Sequence, residues 1–292
     1  MSIKKVFVVG AGRMGIGIAE VCAEAGYEVV MEDTNAEILA KGMQAIKRSV
    51  EKAVEKGKVK GTVEEIVARI KTVTNLELAK TADFVVESVF EDLELKRDVF
   101  RQLDEICSAD TILATNTSGI PTTYIAEATK RPDRVVGTHF FNPVPVQRVA
   151  EVVKGLTTSE ETMERAMDFC RSLGKEIIRI NRDVQAFALV RIDIVSYVEA
   201  MKLVEEGVAS VEDIDKGFRL GYGRPMGPFE TRDFAGLDIG WAVLQDLYRE
   251  TGDNKFFPPM ILRRKIKAGH LGKRVGIGWY RYDEKGNRIG PA

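Results

Sequence analysis

Val6-Phe7-Val8-Val9-Gly10-Ala11-Gly12-Arg13-Met14-Gly15 is the stretch whose reading decides the fold. Four apolar residues read as a buried strand, a G-x-G-x-x-G turn follows directly, and an apolar helical pattern continues over 16–25. Each glycine has its own task in such a turn. Gly10 permits the tight reversal, Gly12 lets backbone approach a pyrophosphate, and Gly15 lets the helix lie close on the strand. The helix N-terminus, with Met14 in its first turn, adds unpaired amides and the positive end of a dipole. A second strand at 28–31 leads into Glu32-Asp33. A carboxylate at that place accepts hydrogen bonds from ribose hydroxyls and repels a 2′-phosphate. The expected cofactor is therefore NAD, held by Gly10, Gly12, Met14, Gly15 and Asp33. FAD shares the turn, but no further flavin-domain pattern follows.

Outward from this unit, short β-rich runs at 84–87, 112–114, 135–139 and 176–180 alternate with helical patterns such as 162–173. That alternation predicts an α/β architecture, a Rossmann-type parallel sheet. Two charge-rich helical runs, 36–56 and 62–70, read as a helical hairpin inserted after the second strand. Beyond Asp183 apolar residues recur only at helical spacing, through Ile192, Val195, Val198 and the run 239–248. The expected organisation is a cofactor-binding domain over 1–182 and an all-α domain over 183–292.

Composition bounds the partners. Net charge is −1, so no global field favours a nucleic acid or an anionic membrane. No apolar run approaches the roughly 18–20 residues of a membrane span. Lys4-Lys5 runs straight into the first strand, unlike a signal peptide, and Cys22, Cys107 and Cys170 lie apart in apolar patterns. They read as buried free thiols of a cytoplasmic protein, not as a disulfide framework or a metal site.

Of two histidines, His139 ends the run Val135-Val136-Gly137-Thr138 and opens His139-Phe140-Phe141-Asn142-Pro143. Ligands of open α/β sheets bind beyond the carboxyl ends of strands, where an imidazole can act as a general base near neutral pH. Glu151 lies twelve residues on, in an apolar run. If residues 143–145 turn the chain back, it can orient that imidazole. From spacing alone, a structural strand-end histidine is the plainer reading.

Several motifs together resemble the 3-hydroxyacyl-CoA dehydrogenase family. They are Glu91-Asp92-Leu93-Glu94-Leu95-Lys96, Asn116-Thr117-Ser118, His139-Phe140-Phe141-Asn142-Pro143-Val144-Pro145 and Pro225-Met226-Gly227-Pro228-Phe229-Glu230. The tail Gly276-Ile277-Gly278-Trp279-Tyr280 resembles it too. The resemblance implies hydride transfer between NAD and a 3-hydroxyacyl-CoA or 3-oxoacyl-CoA, with L-(S) stereochemistry. It implies His139 as base, Glu151 as its orienting carboxylate, Ser118 on the reacting oxygen and Asn142 supporting the histidine loop. Glu91, Lys96 and Asn116 would line the nicotinamide and its ribose, and Ser49 and Lys56 on the hairpin would hold the nucleotide end of coenzyme A. A homodimer is implied through the second domain.

The chain departs from the family at one junction. Where the family has Pro-Gly-Phe, two apolar residues and Asn-Arg, this chain reads Gln185-Ala186-Phe187-Ala188-Leu189-Val190-Arg191. Val190 replaces an asparagine that reaches the active site, and Phe90 replaces a proline before Glu91. Two alternatives stay open at this point: a same-fold dehydrogenase of a free hydroxy acid, and a nucleotide-binding homologue with reduced or no turnover.

Overall fold

The computed structural model describes residues 3–292. The chain divides into two compact units, the first ending at Phe187 and the second spanning Ala188–Ala292.

The first unit opens with β1 (Lys5–Val9), α1 (Arg13–Glu24), β2 (Glu28–Glu32), α2 (Ala36–Glu55), α3 (Val63–Val67) and β3 (Ile70–Val73). It continues with β4 (Phe84–Glu87), α4 (Leu93–Ile106), β5 (Ile112–Thr115), α5 (Thr122–Ala126) and β6 (Val135–Phe140). It closes with β7 (Val149–Val153), α6 (Glu160–Ser172) and β8 (Glu176–Ile180). The strands form one sheet in the order β3-β2-β1-β4-β5-β6-β7-β8. Period-two alternation splits its two faces. Val6 and Val8 join Ile18, Cys22, Ile46 and Cys170 in one core, while Phe7 and Val9 join Phe100, Leu103 and Cys107 in the other. Both faces are thereby covered by helices, as a mostly parallel sheet requires.

The order reverses between β1 and β4, and their carboxyl-end loops flank the crevice this creates. Two features differ from the sequence expectation. Residues 62–70 do not stay helical, because Ile70–Val73 returns to the sheet as an edge strand on β2. The apolar run around Glu151 is a strand, β7, antiparallel to β6 and parallel to β8.

The second unit contains α7 (Leu189–Glu205), α8 (Val211–Gly221), α9 (Pro228–Ala235), α10 (Leu237–Thr251) and α11 (Met260–Lys267). It is helical as expected, with one addition, the antiparallel ribbon of β9 (Tyr280–Tyr282) and β10 (Arg288–Pro291). Trp279 is its buried centre: the indole donates to Tyr197 Oη at 2.7 Å, and Asp233 accepts from the amides of Trp279 and Tyr280 at 2.8 and 2.9 Å. Asp215 accepts from the amides of Phe229 and Glu230 at the start of α9, at 2.9 and 3.0 Å. A Cβ at Gly227 would stand 2.1 Å from Asp215 Oδ1, and one at Gly278 2.0 Å from Asp233 Oδ1. Glycine is therefore obligatory in both tail motifs for packing. Val190 lies in the first turn of α7.

Ala186 and Phe187 hold φ of 61° and 44°, left-handed values for residues with a Cβ. Ala186 is fully buried, and its amide donates to Gly119 O at 2.9 Å, which fixes this conformation. A left-handed non-glycine residue costs about 1–2 kcal/mol, partly offset by the extra freedom glycine has when unfolded. Ala186→Gly is therefore expected to stabilise the protein by about 0.5–1 kcal/mol in urea unfolding. An unchanged or lower midpoint would show that Ala186 carries no such strain.

Candidate active site

The carboxyl ends of β2, β1, β4, β5 and β6 follow one another along one edge of the sheet. Four strand spacings separate the outer two, about 19 Å. The predicted cofactor and catalytic residues lie along this edge, and the structure brings them together there.

At β1 the three glycines meet different demands. Gly10 has φ of 93°, and a Cβ on it would lie 3.0 Å from Ser88 O. A Cβ on Gly15 would lie 1.8 Å from Gly10 O, so α1 can approach the turn only without a side chain. Gly12 differs from both: its φ is −71°, it is exposed, and a Cβ there would meet nothing within 4 Å. The protein itself does not require glycine at that position. The open space over Gly12, at the N-terminus of a twelve-residue helix with no acidic residue in its first turn, fits a pyrophosphate. Met14 is half-buried in that turn and packs against the core.

Asp33 stands just beyond β2 and ties the acid to the turn, accepting from Ala11 N at 3.0 Å and from Asn35 N at 3.0 Å. Behind it Glu32 is only 4% exposed, and burial, then the neighbouring Asp33, pushes its carboxyl up to about 7.

Past β4 an unforeseen carboxylate organises the edge. Glu87, the last residue of β4, is fully buried and accepts from Lys96 Nζ at 2.7 Å, Val89 N at 2.7 Å and Thr115 Oγ1 at 2.7 Å. Lys96 is itself buried, between Glu87 and Glu91 Oε2 at 3.4 Å, so it acts on the edge through these two acids. Glu91 Oε1 then accepts from Thr117 Oγ1 at 2.5 Å and from the amides of Ser118 and Gly119, both at 3.0 Å. Thus the buried ion pair fixes Glu91, and Glu91 fixes the loop carrying Ser118, which is half-buried. The signal for Glu87 was available in the sequence: a carboxylate closing an apolar strand nine residues before a lysine. Asn116 has a structural task, its Oδ1 accepting from Phe140 N at 3.0 Å across to β6. Phe90, at the tip of the β4 loop, is 86% exposed.

At β6 His139 is 6% exposed, and Glu151 on β7 is fully buried. They are register partners in the antiparallel pair, so their side chains share a face, and His139 Nδ1 lies 2.8 Å from Glu151 Oε2. A carboxylate accepting at Nδ1 places the ring proton there and leaves the Nε2 lone pair as the basic site. Phe141 and Phe187 flank the ring at centroid distances of 4.5 and 5.9 Å. Asn142 is half-buried in the loop after β6. Lys175 holds that loop from beneath, donating to Val144 O at 2.6 Å and Gln147 O at 2.7 Å.

Ser49 and Lys56 lie away from this edge, on α2 and at its C-terminal cap. They are seven residues apart, two helical turns, and so share one side of the helix. Ser49 is half-buried, and Lys56 is exposed beside the equally exposed Lys52 and Lys58.

A carboxylate-backed imidazole at one end of a dinucleotide cradle can move a proton while a hydride leaves or joins the adjacent carbon. That combination defines a nicotinamide-linked oxidoreductase. Residues 5–184 match the profile of the 3-hydroxyacyl-CoA dehydrogenase NAD-binding domain, and residues 187–282 that of the 3-hydroxyacyl-CoA dehydrogenase C-terminal domain. The chain is 43% identical to a probable 3-hydroxybutyryl-CoA dehydrogenase of Bacillus subtilis (strain 168), over 98% of this chain and 99% of that one. It is 39% identical to a 3-hydroxybutyryl-CoA dehydrogenase of Clostridioides difficile, over 96% and 100% of the two chains. The crystal structure of a (S)-3-hydroxybutyryl-CoA dehydrogenase from Ralstonia eutropha superposes with a TM-score of 0.92 at 39% identity, covering 97% of this chain and 100% of that one. The chain belongs to the 3-hydroxyacyl-CoA dehydrogenase family and is an NAD-dependent oxidoreductase.

Gly12 offers a clean test of the cradle. Because its backbone suits any residue and its Cβ position is empty, Gly12→Ala is expected to fold with unchanged stability. The same variant should raise the KM for NADH by at least about tenfold, through a clash with the pyrophosphate. An unaltered KM would place the dinucleotide elsewhere.

Proposed function

We propose that the protein interconverts short-chain (S)-3-hydroxyacyl-CoA and 3-oxoacyl-CoA, with 3-hydroxybutyryl-CoA as the type substrate and His139 as the acid–base group. The cross-strand contact of His139 Nδ1 with Glu151 Oε2, at 2.8 Å, carries this reading. NAD, when bound, supplies the hydride acceptor, and NADH the donor for the reverse direction. Nε2 takes the proton of the 3-hydroxyl as that carbon is oxidised, and the positive imidazole that results is stabilised by the buried carboxylate behind it. The Ser118 hydroxyl donates to the same substrate oxygen. In reduction these groups act in reverse, and the imidazolium delivers the proton to the new alkoxide.

Asn142 supports the loop beyond His139, and Glu91, Lys96 and Asn116 hold the strand-end loops in register with the cofactor. On this reading Ser49 and Lys56 receive the nucleotide end of coenzyme A, since a hydroxyl and a flexible ammonium suit a phosphate. Val190 stands where the family has asparagine and offers no polar atom, which favours a more apolar acyl group as substrate. The working enzyme is a cytoplasmic homodimer joined through the helical second domain, which spans 183–292 and follows the cofactor domain of 1–182. Among the described residues no helix is long and apolar enough to cross a membrane.

Purified protein mixed with NADH is expected to oxidise it with acetoacetyl-CoA and to ignore free acetoacetate. Turnover of both at similar kcat/KM would favour a dehydrogenase of free hydroxy acids. Turnover of neither would favour the non-catalytic homologue, with Val190→Asn as the restoring variant to measure. His139→Gln should bind NADH nearly as before and lose about 10²- to 10⁴-fold in kcat. An undiminished kcat would remove His139 from the mechanism.

A further inference from the structure

Beyond β8 the chain comes back to the carboxyl edge of the sheet before the first unit ends. Asp183 secures the start of this segment, its amide donating to Lys154 O at 2.9 Å and its Oδ2 accepting from Thr123 N at 2.6 Å. Further on, the Ala186 amide donates to Gly119 O at 2.9 Å, and Phe187 N closes a short turn on Val184 O at 3.1 Å. Among the described residues, Ala186 and Phe187 are the two with positive φ that are not glycine. They are adjacent, and both are buried. Left-handed backbone in a residue with a Cβ persists only where its surroundings over-determine it, and such residues gather at functional sites.

The turn reaches two places that the reaction needs. Its Ala186 amide holds the carbonyl of Gly119, whose own amide donates to Glu91 Oε1 at 3.0 Å, so the residue after Ser118 is fixed at both its C=O and its N–H. Its Phe187 ring reaches His139, with ring centroids 5.9 Å apart and planes at 56°, while Phe141 stands 4.5 Å from the same imidazole. Glu151 fixes the imidazole at Nδ1. Rotation about the Cβ–Cγ bond of a histidine has a broad minimum, so a hydrogen bond at one corner still lets the ring rock and Nε2 swing. Two aromatic neighbours narrow that swing, and a phenyl ring has no group that competes for Nε2.

We propose that Phe187 is a positioning residue for the acid–base step, acting through His139. The left-handed Ala186–Phe187 turn lets one dipeptide hold the Ser118 loop by its backbone and the imidazole by its ring, so that the serine hydroxyl and Nε2 meet the same substrate oxygen. This rests on the reading of His139 as the acid–base group with Ser118 beside it.

Phe187→Leu keeps an apolar side chain and removes the ring, and Phe187→Met does the same with a more adaptable chain. In the reduction of acetoacetyl-CoA by NADH, both variants are expected to lose about ten- to a hundredfold in kcat with the KM for NADH unchanged. The control is Phe169→Leu, which removes a buried ring stacked on Phe84 at 4.2 Å, at the opposite end of β4 from Glu87. It should lower the urea midpoint and leave kcat unaltered. The chain has two histidines, so the Nδ1 proton of His139 can be followed by NMR. The Phe187 variants should broaden that signal through exchange with water, and Phe169→Leu should not. Full kcat in the Phe187 variants, an equal loss in Phe169→Leu, or a loss with the Nδ1 signal unchanged would each show that Phe187 does no more than fill the core. If His139→Gln loses kcat and the Phe187 variants do not, the inference alone fails. If His139→Gln itself retains kcat, the reading beneath fails and takes the inference with it.

Discussion

Where β7 runs back along β6, His139 and Glu151 face each other across a single rung, and a slip of one residue would carry the carboxylate to the other side of the sheet. Several unrelated contacts hold that register. Gly137, two residues before His139, is squeezed so closely that a Cβ would stand 2.8 Å from both Thr122 Oγ1 and Val153 Cβ. Asn116, just beyond β5, accepts from the amide of Phe140, and the buried ammonium of Lys175 ties down the returning loop. The fold thus orients the imidazole, with its ring proton on the carboxylate side.

The other half of the edge is held by charge. A buried ion pair such as Glu87–Lys96 adds little net stability, because desolvating both groups consumes most of their attraction. Its value lies in geometry. Glu87 has three donors, Lys96 links it to Glu91, and Glu91 gathers the Thr117–Gly119 loop, so the ends of β4 and β5 are tied together. Two backbone loops at the ends of neighbouring strands are fixed by one chain of buried side chains.

Much of this was legible in the residues. The glycine turn announced itself because strand, turn, helix and acid follow one another within 33 residues, and each has a local cause. His139 was visible as a histidine at a strand end, and Glu151 as a candidate partner on the condition that the chain turned back. Two things were hidden. The strand at Ile70–Val73 is four residues with two exposed in the middle, too short for its alternation to outweigh the helical run before it. The task of Asn116 was hidden as well, because it is a tertiary contact, a side chain just beyond β5 holding backbone on β6. The tail motifs show the converse. They mark the family in sequence, yet Gly227 and Gly278 are explained wholly by two buried aspartates.

The three thiols carry a consequence of a different kind. Cys22 and Cys170 are fully buried on α1 and α6, and Cys107 nearly so beyond α4. Burial raises all three, Cys107 to about 11 and Cys170 to about 12. Since the thiolate is the reactive species, burial keeps these thiols in their unreactive, protonated form at neutral pH. The native protein is therefore nearly silent towards alkylating reagents and mild oxidants. The cysteines sit in the two cores on opposite faces of the sheet, so labelling of each one times the breathing of the layer that covers it.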